Sequence, residues 1–135
     1  MKITILITAF KEPNIEEALI SALNQKTEYK YEVILSAPDK PTLDIAKEYQ
    51  KKYKHLKILI DPGKGKSYAL NLAISNIKTD ILILTDGDVY ISKNTIEEIM
   101  DYWPTLLLPK VEFKLDAFDE PPPNWKFKLK AVNVP

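Results

Sequence analysis

Asp86 and Asp88, one glycine apart after the apolar run Ile81-Leu82-Ile83-Leu84-Thr85, are the residues of this chain best spaced to do chemistry. Two carboxylates so close repel each other unless a cation neutralises them. Hard divalent cations such as Mg²⁺ take a few carboxylate oxygens and fill the rest of their shell with water and phosphate. The apolar run suits a strand buried on both faces, in the middle of a parallel sheet. Such a strand ends where the charges begin, and open α/β sheets bind their ligands at that carboxyl end. The expectation is a metal-assisted site for a phosphorylated ligand. The same triplet is also an ordinary polar turn, and taken alone it does not separate the two.

The elements that must position these carboxylates read as a regular alternation. Lys2 to Thr8 is a β-branched strand. After the loop Ala9 to Pro13, Asn14 with Glu17 three residues on forms a capping-box pattern. Ile15, Ala18, Leu19, Ala22 and Leu23 then recur at helical spacing. Tyr31 to Leu35 is the second strand, Ser36-Ala37-Pro38-Asp39 a loop, and Pro41 sits where the first turn of a helix tolerates proline. Leu56 to Ile60 is the third strand, followed by Asp61-Pro62-Gly63-Lys64-Gly65-Lys66 and a helix with Ala69, Leu70, Ala73, Ile74 and Ile77 on one stripe. Ile81 to Thr85 is the fourth strand, and a helix with Asn94 and Glu97 at its start follows. Four strand–helix repeats predict an α/β fold with a doubly wound, mainly parallel sheet. Beyond Trp103 the pattern changes to period two, around Val111 to Leu115 and Trp125 to Ala131. That predicts a short antiparallel C-terminal hairpin joined through Pro121-Pro122-Pro123. Residues 1–103 are therefore expected to form the ligand-binding half, and 104–135 a short extension packed on the same domain. The lysines of that extension suit a solvated face or an anionic substrate.

Composition narrows the partners. With 135 residues, 45% apolar and 28% charged, the chain suits one globular domain rather than a disordered segment. Nineteen basic residues balance nineteen acidic ones, which gives no bulk attraction to nucleic acid. Without cysteine there are no disulfides, thiolate metal sites or cysteine nucleophiles. No apolar run is long enough for a membrane span and no signal peptide is apparent, so the expected location is cytoplasmic, at most peripheral to a membrane. The one histidine, His55, precedes the third strand, at the end of the sheet opposite the strand carboxyl ends, which leaves no Ser-His-Asp triad to assemble. Neither GxxxxGK[ST] nor GxGxxG occurs, which disfavours an NTPase or a dinucleotide-binding dehydrogenase.

In a parallel sheet the four carboxyl-end loops converge, so Thr8 to Glu12, Ser36 to Asp39, Asp61 to Lys66 and Asp86 to Asp88 share one rim. Gly63 and Gly65 permit close backbone approach, and the helix beginning near Lys66 points free N–H groups at the rim. Three stretches then carry a resemblance. Ile3 to Phe10 with Glu12 and Ala18-Leu19-Ile20-Ser21-Ala22-Leu23-Asn24-Gln25, then Pro62 to Ala73, and finally Ile81 to Asp88, taken in that order, resemble the family 2 glycosyltransferases over about residues 1 to 100. The resemblance implies the GT-A fold, a nucleotide-sugar donor with a UDP-sugar foremost, and inverting transfer to an acceptor hydroxyl. It also implies that Thr8, Ala9, Phe10 and Glu12 surround base and ribose, with Asp39 at the base. Gly63, Lys64, Lys66 and Gly87 would lie near the nucleotide, Asp86 at the ribose or metal, and Asp88 on a Mg²⁺ or Mn²⁺ ion. The family's frequent Asp-Asp-Gly-Ser after the second strand is replaced here by Ser36-Ala37-Pro38-Asp39. The segment after Trp103 is short for an acceptor half, and its acids Asp116, Asp119 and Glu120 are the candidates for general base. That brevity leaves room for a second copy of the chain, or a partner, to complete the acceptor site; the acceptor itself could be glycan, lipid or protein. Two rivals remain: a nucleotide-sugar-binding module without turnover, and a nucleotidyltransferase. The latter is disfavoured because Ala9-Phe10-Lys11-Glu12-Pro13 lacks a glycine-rich loop.

Overall fold

The computed structural model describes residues 1–106, 110–112 and 130–132. Within them run β1 (Ile3–Thr8), α1 (Ile15–Leu23), β2 (Tyr31–Ala37), α2 (Lys40–Lys52), β3 (Leu56–Ile60), α3 (Lys66–Asn76), β4 (Ile81–Asp86) and α4 (Thr95–Leu106). Two three-residue strands, β5 (Lys110–Glu112) and β6 (Lys130–Val132), pair antiparallel as the period-two pattern expected. The chain divides into two compact units, Met1–Ile96 and Glu97–Pro135, so α4 begins in the first and ends in the second. No helix among the described residues is long and apolar enough to cross a membrane.

The first unit is built on a four-stranded parallel sheet of order β3-β2-β1-β4. The chain steps outward from β1 to β2 to β3, then jumps back across the sheet to β4. Right-handed crossovers therefore put α1 and α2 on one face and α3 on the other. Residue parity agrees: Leu6 and Ile34 pack with Ala73 and Leu70 of α3 and with Ile77 just after it. Ile3, Ile5, Ile7, Val33 and Leu35 point the opposite way and are fully buried. Each such side chain contributes about 1.5–3 kcal/mol through burial, so β1, buried along its whole length, anchors the unit.

Three expectations change. The run Ile81 to Thr85 is not the middle of the sheet: β4 pairs only with β1 among the described residues, and Leu84 is half exposed. A continuous apolar run reports burial of its neighbours' faces, and β1, equally apolar, took the centre. Strand β2 continues through Ser36 and Ala37, because Ser36 is paired with Thr8 and Leu59, and Ala37 with Ile60. The capping box at Asn14 does not form: Asn14 makes no side-chain cap, and its N–H donates to Glu12 Oε1 at 3.1 Å. Glu17 instead accepts a hydrogen bond from Tyr90, which raises the tyrosine pKa.

Candidate functional site

The strand order reverses between β1 and β4, and the crevice beside such a reversal is where open α/β sheets take ligands. A cleft of about 340 Å³ opens there. Thr8, Ala9 and Phe10 line it from the β1 end and Pro38 from the β2 end. Asp61, Gly63, Gly65, Lys66 and Ala69 come from β3 and α3, and Asp86 from β4. Of the sequence-derived candidates, the structure thus brings together Thr8, Ala9, Phe10, Gly63, Lys66 and Asp86.

Thr8 and Asp86 are register partners on neighbouring strands and project to the same face. The Thr8 hydroxyl donates to Asp86 Oδ1 at 3.3 Å. On that face α3 begins, and Lys66 in its first turn reaches the same oxygen at 2.5 Å. Both partners of this pair are substantially exposed, so the contact adds little to stability; it stores a cation at the mouth of the cleft. Gly63 and Gly65 hold φ of +73° and +101°, which lets the loop turn into α3 with its free N–H groups facing the cleft.

Gly87 is required for space. A β-carbon there would lie 2.9 Å from Ala9 Cβ, 3.2 Å from Glu12 Cγ and 3.3 Å from Ile15 Cδ1. Its N–H donates to Thr8 O at 3.0 Å, so the turn carrying both aspartates is clasped to the β1 loop. Glu12 is accordingly packed behind the triplet rather than in the cleft wall. Asp88 is exposed beyond Gly87 and makes no hydrogen bond or ion pair among the described residues. Lys64 is also outside the wall, with its ammonium 5.2 Å from the Tyr68 ring centroid.

The segment after the triplet is held by α1. Ser21 Oγ accepts the Ile91 N–H at 3.2 Å. Gln25 donates to Ser92 O at 2.7 Å and accepts the Ile96 N–H at 3.1 Å. Ser21 and Gln25 are thus positioning residues whose work is invisible in sequence, since their partners lie about seventy positions away.

Asp39 has a different occupation from the one expected. Its Oδ1 accepts the Lys11 N–H at 3.0 Å, and its Oδ2 accepts both the N–H and the hydroxyl of Thr42, at 3.2 and 2.6 Å. It caps α2 and also fixes Lys11, whose φ of +49° is a left-handed conformation uncommon outside glycine. Burial pushes the Asp39 carboxyl up, but the hydrogen bonds from Thr42 and Lys11 outweigh it and hold the pKa below the usual range. Asp39→Ala is expected to cost about 1–2 kcal/mol, the loss of an N-cap. The depressed pKa makes that contribution present above the unfolded value and lost as pH falls through the folded one. Thermal melts should therefore show wild type and variant diverging at neutral pH and converging in acid; a constant gap would refute the assignment.

Asp61 lines the cleft and is almost fully buried, although no motif marks it for a specific role. The available signal was its place directly after a strand. His55 lies at the opposite edge, within 3.2 Å of Leu23 O and edge-on to Tyr31, as its position before β3 predicts. Asp116, Asp119 and Glu120 lie outside the described residues.

No group of three or more acidic, histidine or cysteine side chains that could hold a metal occurs among the described residues. The described residues therefore offer no preformed cage. Two carboxylates one glycine apart do fit a hard cation whose remaining ligands are phosphate and water.

Comparison with known proteins bears on the family and the fold. Residues 4–106 match the family Glycosyl transferase family 2. Among curated proteins, none matches. The structure of S. aureus TarS superposes with a TM-score of 0.63 at 24% identity, over 77% of this chain and 20% of that one. TarS 1-349 gives 0.65 at 24% identity, over 78% and 33%. The mannosyltransferase PcManGT from Pyrobaculum calidifontis, solved with GDP-Man and Mn²⁺, gives 0.67 at 22% identity, over 82% and 33%. The chain thus spans a third or less of the length of these structures. They share the GT-A fold expected from the sequence, and the chain belongs to glycosyl transferase family 2.

Proposed function

We propose that the chain binds a nucleotide-sugar in the β1–β4 cleft and takes part in metal-dependent, inverting transfer of the sugar to an acceptor hydroxyl. The observation that carries the reading is the convergence of Thr8, Lys66 and Asp86 with the Gly63–Gly65 loop on one cleft, in a chain of this family. In the reaction an acceptor oxygen attacks the anomeric carbon. The bond from that carbon to the diphosphate breaks, and the diphosphate leaves with the electron pair. The acceptor proton passes to a carboxylate, for which Asp116, Asp119 and Glu120 are the proposed candidates. Attack opposite the leaving group inverts the anomeric centre.

The chain's own work is to hold the leaving diphosphate. Lys66, now paired with Asp86, is within reach of it and would add fixed positive charge as negative charge builds. The N–H groups at the start of α3 act in the same sense, and Lys64 lies close by. Asp88 and Asp86 would hold a Mg²⁺ or Mn²⁺ ion, which when bound supplies Lewis-acid neutralisation of the diphosphate. Lys66, were Asp86 engaged by such an ion, would be free to pair with phosphate. Phe10, exposed at the cleft wall, offers a flat apolar surface to the nucleoside. The family resemblance puts UDP-sugars first among donors, and PcManGT was solved with GDP-Man. A cytoplasmic site of action is part of the same reading.

The test is a thermal-shift panel of nucleoside diphosphates and nucleotide-sugars, each with and without Mn²⁺. A ligand at roughly a hundred times its Kd adds about 2.7 kcal/mol, a readable shift. Stabilisation that requires Mn²⁺, followed by release of nucleoside diphosphate from a sugar donor, is the expected result. Pyrophosphate release would identify a nucleotidyltransferase, and binding without turnover a binding module. No shift with any member of the panel would sink the reading.

A further inference from the structure

The acid expected at the base is engaged within the fold and lies outside the cleft wall. Asp39 accepts three hydrogen bonds from Lys11 and Thr42 and does not line the cleft. Another carboxylate does. Asp61, at the end of β3, is 6% exposed and forms part of the cleft wall. Its backbone N–H donates to Ala37 O at 3.2 Å, and its Oδ1 accepts the Gly63 N–H at 2.8 Å. Among the described residues nothing donates to Oδ2, and no lysine pairs with the group. Oδ2 is therefore an acceptor that opens on the cleft and receives no donor from the described residues. The arrangement makes sense when a ligand supplies the missing donors.

We infer that Asp61 selects the nucleobase of the donor, and that the base is guanine. The inference rests on the nucleotide-sugar reading of the same cleft. Asp61, just past β3, and Asp86, which ends β4, lie at the two outer strands of the order β3-β2-β1-β4, three strand spacings or about 14 Å apart across the sheet. With ribose and diphosphate at Asp86, the far end of the cleft receives the base edge most distant from the sugar. A purine reaches further along that line than a pyrimidine. Phe10 and Pro38 stand in the wall between as apolar surfaces for its faces.

The hydrogen-bond chemistry is more selective than the length. An ionised carboxylate only accepts, and each oxygen has two lone-pair sites, so Oδ1 keeps one beside its Gly63 bond. Guanine alone presents two adjacent donors, the N1–H and the 2-amino group, spaced to meet two carboxylate oxygens. Uracil presents one N3–H between two carbonyl oxygens, which would face the negative charge. Adenine and cytosine each set an amino group beside a ring acceptor. A site built to satisfy a buried acceptor rejects ligands that leave it unpaired.

The experiment is calorimetric titration of the chain with GDP, IDP, UDP, ADP and 2′-deoxy-GDP in Mn²⁺, on wild type and Asp61→Asn. The amide keeps the shape and the oxygen that accepts from Gly63. Wild type should bind GDP at least about tenfold more tightly than IDP, which lacks only the amino group, and than UDP or ADP. In Asp61→Asn the preference should fall to within about twofold, and 2′-deoxy-GDP should lose the same factor as GDP. UDP binding wild type as tightly as GDP would overturn the inference, as would a preference that survives Asp61→Asn. An Asp61→Asn loss that vanishes with 2′-deoxy-GDP would place the carboxylate on the ribose and overturn it too. If the variant does not fold, the wild-type ratio of GDP to IDP and UDP decides alone. Binding of UDP but not GDP leaves the proposed function standing, whereas failure of every diphosphate removes both.

Discussion

Asp88→Asn is expected to make nucleotide binding indifferent to Mn²⁺ and to cut sugar transfer by roughly 10²-fold or more, the scale of losing one electrostatic stabiliser of a leaving group. The structure makes this a clean substitution. Asp88 is exposed and makes no hydrogen bond or ion pair among the described residues, so the fold should lose no more than about 0.5 kcal/mol. Any change in nucleotide affinity is then a change at the site. Asp86→Asn is a less direct probe, because its Oδ1 is already shared by Thr8 and Lys66. The decisive measurement is nucleotide affinity with Mn²⁺ and with chelator, for wild type and Asp88→Asn. Retention of the wild-type Mn²⁺ effect in the variant would remove Asp88 from the metal.

Gly87→Ala should be the most damaging single methyl addition in the first unit. Carbon atoms pack at about 3.5–4.0 Å, and the new β-carbon would stand 2.9 Å from Ala9 Cβ. Neither side yields easily. Ala9 is tied by its N–H to Ser36 O at 3.0 Å, and Ile15, also in the way, is fully buried at the start of α1. Overpacking of this kind costs about 1–3 kcal/mol. For a domain of this size that lowers Tm by about 5–15 °C. The clasp between Gly87 N–H and Thr8 O should open as the turn is pushed out, carrying both carboxylates with it. Weaker Mn²⁺-dependent binding well below the melting temperature is therefore part of the same prediction. An unchanged Tm would show that the loop of residues 9–15 is more compliant than its contacts imply.

The lesson of Gly87 is general for this site. Its backbone φ is not among the positive values, which belong to Gly63 and Gly65. In sequence all three glycines look alike, as residues of loops after strands. Gly63 and Gly65 answer to a local dihedral requirement that loop position suggests. Gly87 answers to atoms that lie about seventy positions earlier and meet it only because β4 docks beside β1. Asp39 and Asp61 repeat the contrast. Asp39 reads from its loop position as a contact to the base, and the structure gives it the N-cap of α2, which that reading does not include. Asp61 carried no pattern of its own, and its burial in the cleft wall follows from the β2–β3 pairing.

Local patterning along the chain sets the elements and the edge of the sheet at which polar loops gather. Period-two and period-3.6 repeats are local, and strand–helix alternation dictates parallel strands whose carboxyl ends emerge together. The Asp86-Gly87-Asp88 turn, the Lys66 helix start and the Thr8 loop were therefore legible as one rim. Tertiary structure alone decided the strand order, and with it the rest. An apolar run has no way to encode whether it becomes the centre or the edge of a sheet, so β1 rather than β4 proved central. That order set Lys66 against Asp86, closed Asp39 upon Lys11 and Thr42, and left Asp61 in the cleft wall.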